Sequence, residues 1–148
     1  GTVKWPQDDE FKRAIKYNSV YGTPVCKFLL FELDKESSSH SSNEIFEEEH
    51  VLPRELPSGT NYWTENFSSA DHQKFKDTLA NLIPLSPGLN KSVSNNSYPK
   101  KAILYQKESV FSSSRNFPKK YKDWTLQELD ERANEIIDFS IKRWPYFA

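Results

Sequence analysis

The chain has 148 residues, a net charge of −1, 36% hydrophobic residues and 14% aromatic ones, with four tryptophans. That length fits one domain able to bury about two-thirds of its unfolded surface, its apolar content is too rich for a disordered chain, and no apolar run approaches the ~20 residues needed to cross a bilayer. A single cysteine, Cys26, excludes an internal disulfide and a Cys-pair zinc site, which suits a reducing cytoplasm.

In chain order, DDEFKRAIKYN (8–18) predicts a short helix capped near Asp8 or Asp9. TPVCKFLLFELDK (23–35) predicts a second, with Thr23 at the N-cap and Pro24 at the first helical position. There Cys26, Leu29, Leu30 and Leu33 fall at i, i+3, i+4, i+7, an apolar face that makes Cys26 a core residue. ESSSHSSN (36–43) is a polar connector with His40 as an exposed loop residue. EIFEEEHVL (44–52) has no helical stripe and runs into a Pro-bounded loop, so a short strand ending between His50 and Leu52 is expected. SSADHQKFKDTLA (68–80) predicts a helix capped by Ser68 or Ser69 with His72 on its surface. NLIPL (81–85) predicts a second strand, and GLNKSVSN (88–95) a turn opening a helix. PKKAILYQKES (99–109) reads as a helix with Pro99 at its start, and FSSSRNFPKKYKD (111–123) as loop. In WTLQELDERANEIIDFSIKRW (124–144), Thr125 and Glu128 form a capping box. Leu126, Leu129, Ala133, Ile136, Ile137, Ile141 and Trp144 make a continuous stripe there, ended by Pro145 and best suited to core packing.

Charge is unevenly spread. Residues 31–55 carry eight acids against Lys35 and Arg54, a net −6, whereas residues 91–122 carry eight bases against Glu108, a net +7. Tyr98, Tyr105, Phe111, Phe117 and Tyr121 are interleaved with those bases. An acidic first half and a basic, aromatic second half suit a cation on one side and a polyanion on the other.

Within the acidic half, His50 sits behind Glu47, Glu48 and Glu49 and before Val51-Leu52-Pro53. Downstream, Asn81 opens the second strand, and Asn90, Lys91 and Ser92 open the helix after it. Alone, an acidic run before a histidine is ordinarily a solvated edge, and the two asparagines are ordinarily turn residues or caps. The order is more specific: acid-His at a strand end, Asn at the next strand, Asn-Lys-Ser opening a helix.

That order resembles the HNH, ββα-metal or His-Me finger, nuclease family. The pattern EHVLPR, W, LANLIPLSPGLNKSVSN and KK, with a late Trp-rich helix, is similar to the C-terminal nuclease domain of GmrSD-type modification-dependent restriction enzymes and phosphorothioate-sensing relatives in bacterial phage defence. The resemblance runs from Glu44 to Trp144 and is strongest over 49–101. It implies His50 as the general base, Glu49 and Asn90 as metal ligands, and Asn81 as the brace of the loop bearing the histidine. It also implies Arg54, Lys91, Lys100 and Lys101 as phosphate contacts. Much of the wider class has Asp at the position of Glu49 and often His at that of Asn90, which leaves Glu48 or Glu47 open as substitutes for Glu49.

The chemistry asks for such residues. Phosphodiester hydrolysis needs a nucleophile activated near neutral pH, which a neutral imidazole does. It also needs charge neutralised on the phosphate oxygens, which a hard divalent cation on oxygen ligands does, Mg²⁺ or alternatively Mn²⁺. Adjacent strand residues point to opposite faces, so Glu49 and His50 share a site only if the strand bends or ends there.

The sequence therefore predicts an α+β fold, mostly helical, with a ββα-metal (HNH) core and flanking helices. Residues 1–148 are read as a single domain: a helical N-terminal part with the Ser-rich connector (1–43), the ββα-metal core (44–108), and a basic loop with the C-terminal helix (109–148). The lack of methionine and the opening GTVKWPQ suggest a domain cut from a larger protein. The expected function is metal-dependent DNA cleavage in a bacterial restriction or phage-defence system, in the cytoplasm, with DNA and the parent protein's other domains as partners and no membrane. The alternative is a catalytically inactive HNH-like domain that binds DNA or a partner. Dimerisation, nicking versus double-strand cleavage, and the DNA modification sensed stay open.

Overall fold

The computed structural model describes residues 8–37 and 44–144; His40, Pro145 and any cap preceding Asp8 lie outside them. β1 (Glu47–His50) and β2 (Leu82–Leu85) pair antiparallel, with Glu47 opposite Leu85, Glu48 opposite Pro84, Glu49 opposite Ile83 and His50 opposite Leu82. Helices α1 (Asp8–Tyr17) and α2 (Pro24–Ser37) precede the sheet. Between the strands lie α3 (Tyr62–Asn66), α4 (Ser69–Phe75) and a 3-10 turn (Leu79–Asn81). α5 (Pro87–Val93), α6 (Tyr98–Glu108), α7 (Ser112–Lys120) and α8 (Leu126–Arg143) follow β2. The class is α+β and mostly helical, and strand, strand and helix occur in the expected order.

Strand alternation divides the interior. Ile83 and Leu85 point into a cluster with Val51, Leu52, Trp63 and Trp124, whereas Leu82 joins Ile15, Cys26, Leu30, Phe46 and Ile136 on the other side. Every residue of β2 is buried, so this strand reads as a short apolar run rather than an alternating one. Cys26 is fully buried, as its helical face predicts. Its thiol is pushed up to about 12 by burial first and then by the neighbouring Glu48 carboxylate, so it stays protonated and serves packing rather than nucleophilic chemistry.

Several expectations are revised. The segment read as loop at 111–123 contains α7, nine residues long, with Pro118 inside it. Its start is capped across the fold: Ser113 donates its backbone N–H and its hydroxyl to Asp34 Oδ1 at 2.9 and 2.8 Å. The interleaved aromatics do not face a polyanion. Tyr98, Tyr105, Phe111, Phe117 and Tyr121 are all buried, and Tyr98, Phe117, Tyr121 and Trp124 pack ring against ring. The Thr125 hydroxyl donates to the Glu128 carboxylate at 2.8 Å instead of accepting from the helix backbone. A complete capping box stands at α3, where Asn61 accepts from Trp63 and Thr64 N–H while the Thr64 hydroxyl accepts from Asn61 N–H.

Asp34 is buried on α2, so removing its carboxylate strips the α7 cap without a compensating water. Asp34→Ala is expected to lower stability by roughly 1–2 kcal/mol, read as a shift of the denaturant midpoint at unchanged slope. An unchanged midpoint would show that α7 is held by Phe117 packing alone.

Candidate active site at the end of strand β1

The backbone after β1 is fixed residue by residue. Lys101 Nζ donates to the His50 carbonyl at 2.7 Å, and Val51 N–H donates to the Asn81 carbonyl at 3.0 Å. The Asn81 side chain takes both backbone groups of Leu52: its Oδ1 accepts from Leu52 N–H at 2.8 Å and its Nδ2 donates to Leu52 O at 2.9 Å. His72 Nε2 donates to the Pro53 carbonyl at 2.7 Å. Asn81 also donates to Lys76 O at 2.8 Å and accepts from Trp124 Nε1 at 3.0 Å, so its amide has two donated and two accepted bonds and is fully buried. The 3-10 turn that presents Asn81 is tied in turn by buried Arg132, whose Nη1 donates to the carbonyls of Leu79, Ala80 and Leu82. His72, expected on the surface, is therefore a buried part of this frame.

On this frame the His50 ring meets Asp77, with Nε2 at 2.8 Å from Oδ1. A carboxylate only accepts, so Nε2 carries the proton and Nδ1 of the neutral ring keeps its lone pair. The Tyr21 ring lies 4.4 Å from the imidazole, centroid to centroid. The Arg54 guanidinium stands 5.0 Å over Tyr21, with its Nε 3.5 Å from the same Asp77 oxygen. Burial lowers the His50 pKa, Asp77 opposes that, and Arg54 and Lys101 add to it. Neither Asp77 nor Tyr21 stands out in the sequence. Asp77 reads as the end of the helix over 68–80, but α4 stops at Phe75 and leaves it on the following turn.

The other glutamates go elsewhere. Glu49 points away from His50: its Oε2 accepts from Lys101 Nζ at 3.0 Å and from the Tyr105 hydroxyl at 2.6 Å, all three being buried. Burial pushes the Glu49 carboxyl up and the Lys101 ammonium down, each restrained by the other's charge. Asn90 meets Glu47, its Nδ2 donating to Oε2 at 2.7 Å at the surface. Glu48 is buried on the His50 side of the strand, next to Cys26. The residues expected at a metal, Glu49 and Asn90, thus each have protein partners, Lys101 and Tyr105 for Glu49 and Glu47 for Asn90. Among the described residues no three His, Cys, Asp or Glu side chains form a ligand set. Of the expected phosphate contacts, Arg54 is exposed beside His50, Lys91 and Lys100 are exposed on α5 and α6, and Lys101 is wholly buried.

Two consequences are measurable. Asn81→Ala leaves Leu52 N–H and C=O, Lys76 C=O and Trp124 Nε1 without this partner, an expected loss of about 3 kcal/mol or more by denaturant titration. For His50, the folded pKa lies below the unfolded value of about 6.5, so below that pH the unfolded chain binds more protons. Its contribution to stability is complete above about pH 6.5 and declines as pH falls toward the folded pKa. Melting of wild type and His50→Gln between pH 7.5 and 5 should show the wild type losing more; parallel curves contradict the assignment.

No curated protein and no solved structure matches the chain. A family model does: that of the GmrSD restriction endonucleases, C-terminal domain, fits residues 5–139, and the chain belongs to this family of restriction endonuclease domains.

Proposed function

We propose that this domain hydrolyses phosphodiester bonds of DNA, with His50 as the general base, in a bacterial restriction system. The observation that carries this reading is the His50–Asp77 pair on a loop whose backbone is anchored at every residue from 50 to 53. Asp77 fixes the tautomer so that Nδ1 is the atom that takes a proton from the attacking water, and its charge stabilises the imidazolium that forms. The exposed Arg54 fork stands beside Asp77 and suits a phosphate oxygen. Lys91 and Lys100 supply sequence-independent charge for the duplex backbone. A divalent ion would neutralise charge on the phosphate. The HNH resemblance names Glu49 and Asn90 for it; here Glu49 is bonded to Lys101 and Tyr105 and Asn90 to Glu47, and this reading gives proton transfer and phosphate contact to His50, Asp77 and Arg54.

One observation favours a second reading. Lys101 already neutralises Glu49, as in a domain that keeps the fold and binds DNA or another domain without cutting. Supercoiled plasmid incubated with the purified protein, with Mg²⁺, with Mn²⁺ and with chelator, distinguishes the two and reads metal dependence directly.

His50→Ala should lower the nicking rate by roughly 10²- to 10⁴-fold with little change in DNA affinity. Asp77→Asn should also lower it, because an amide can donate to Nε2 and so stabilise the wrong tautomer. Nicking by wild type that survives His50→Ala would move the base elsewhere, and absence of nicking under all three conditions would favour the binding reading.

A further inference from the structure

We propose that Tyr21, from the turn between α1 and α2, is a positioning residue that holds Arg54 ready for the DNA phosphate cleaved beside His50. This rests on the nuclease reading above and adds the N-terminal hairpin to the site. The turn is built for one conformation. Thr23 N–H donates to Val20 O at 3.1 Å, and Gly22 has φ +81°, a left-handed value that glycine adopts without strain. The Thr23 hydroxyl donates to Val20 O at 2.7 Å and accepts from Cys26 N–H at 3.2 Å, joining the turn to the start of α2. The turn is then fastened to the site itself. Val20 and Tyr21 N–H donate to the Asp77 carbonyl at 2.9 and 3.3 Å, and Ser19 bridges Thr78.

Tyr21 thus sits on the backbone of the residue that orients His50, yet the residue belongs to neither packed cluster and is 39% exposed. Its ring contacts both the imidazole and Arg54, whose side chain is 56% exposed. An exposed arginine samples many rotamers; here the ring face and Asp77 Oδ1 fix the plane and the Nε edge. The remaining Nη edge is left for bidentate contact with a phosphate. The ring face, not the hydroxyl, performs this task.

The test measures kcat and KM for plasmid nicking by the full chain carrying Tyr21→Phe, Tyr21→Leu, Tyr21→Ala, Arg54→Ala and Tyr21→Ala with Arg54→Ala. Binding of the same changes to duplex DNA is measured in a His50→Ala background. Tyr21→Ala and Tyr21→Leu should raise KM and weaken binding about 3- to 10-fold, while Tyr21→Phe behaves as wild type. In the Arg54→Ala background, Tyr21→Ala should add nothing further. Tyr21→Leu keeps apolar bulk against His50, so it serves if Tyr21→Ala does not fold. Effects that multiply in the double variant, or Tyr21→Phe as impaired as Tyr21→Leu, overturn the proposal while leaving the nuclease reading intact. A wild type that does not cut overturns both.

Discussion

The side-chain amide of Asn81 is the constraint on which the site depends. One buried group supplies two donors and two acceptors and commits all four to Leu52, Lys76 and Trp124. Those partners belong to the loop after β1, the end of α4 and the approach to α8, three segments with no regular hydrogen-bonded ladder between them. A buried backbone group left unpaired costs about 1–3 kcal/mol, so the loop has few alternatives to the one in which Asn81 satisfies it. Arg132 anchors the turn that bears Asn81, its guanidinium donating to the carbonyls of Leu79, Ala80 and Leu82. Hydrogen bonds to a charged donor are the stronger kind, which helps offset the cost of burying that charge.

The period of two along β1 explains why the acids do not assemble round the histidine. Glu48 and His50 point to one side of the strand, Glu47 and Glu49 to the other. On that second side, burial dominates the energetics: it moves the Glu49 and Lys101 pKa values toward each other, against an attraction that restores only part of the desolvation cost. Tyr105 and the His50 carbonyl take up further hydrogen bonds of the pair. The pair fixes α6 to the end of β1 and holds the His50 backbone from behind.

The sequence is legible where function and local pattern coincide. Asn81 at the mouth of a short apolar strand, and His50 at the end of another, are visible from order and spacing alone. What stays hidden depends on distant partners. α7 has three serines at its start and a proline near its end, and the carboxylate capping it comes from a residue 79 positions earlier. Lys101 looks like its exposed neighbour Lys100 in the sequence; only the buried Glu49 distinguishes it. Asp77 merges into a helical pattern that the chain abandons at Phe75, and its role appears only once β1 brings His50 against it. The alternation of β1, by contrast, already signals that Glu49 and His50 diverge.

A minimal strand–strand–helix unit would lack part of this site. The Asp77 carbonyl accepts from Val20 and Tyr21, and α2 buries Cys26, Leu30 and Asp34 against β2 and α7. Without the hairpin formed by α1 and α2, the turn bearing Asp77 would lose those two backbone bonds, and His50 would lose the ring that shields it from water. More water at the imidazole weakens the burial that keeps it neutral. The burial and orientation of the imidazole at the end of β1 thus depend on segments more than fifty residues apart in sequence, Val20–Tyr21 and Asp77, which the fold joins through backbone hydrogen bonds.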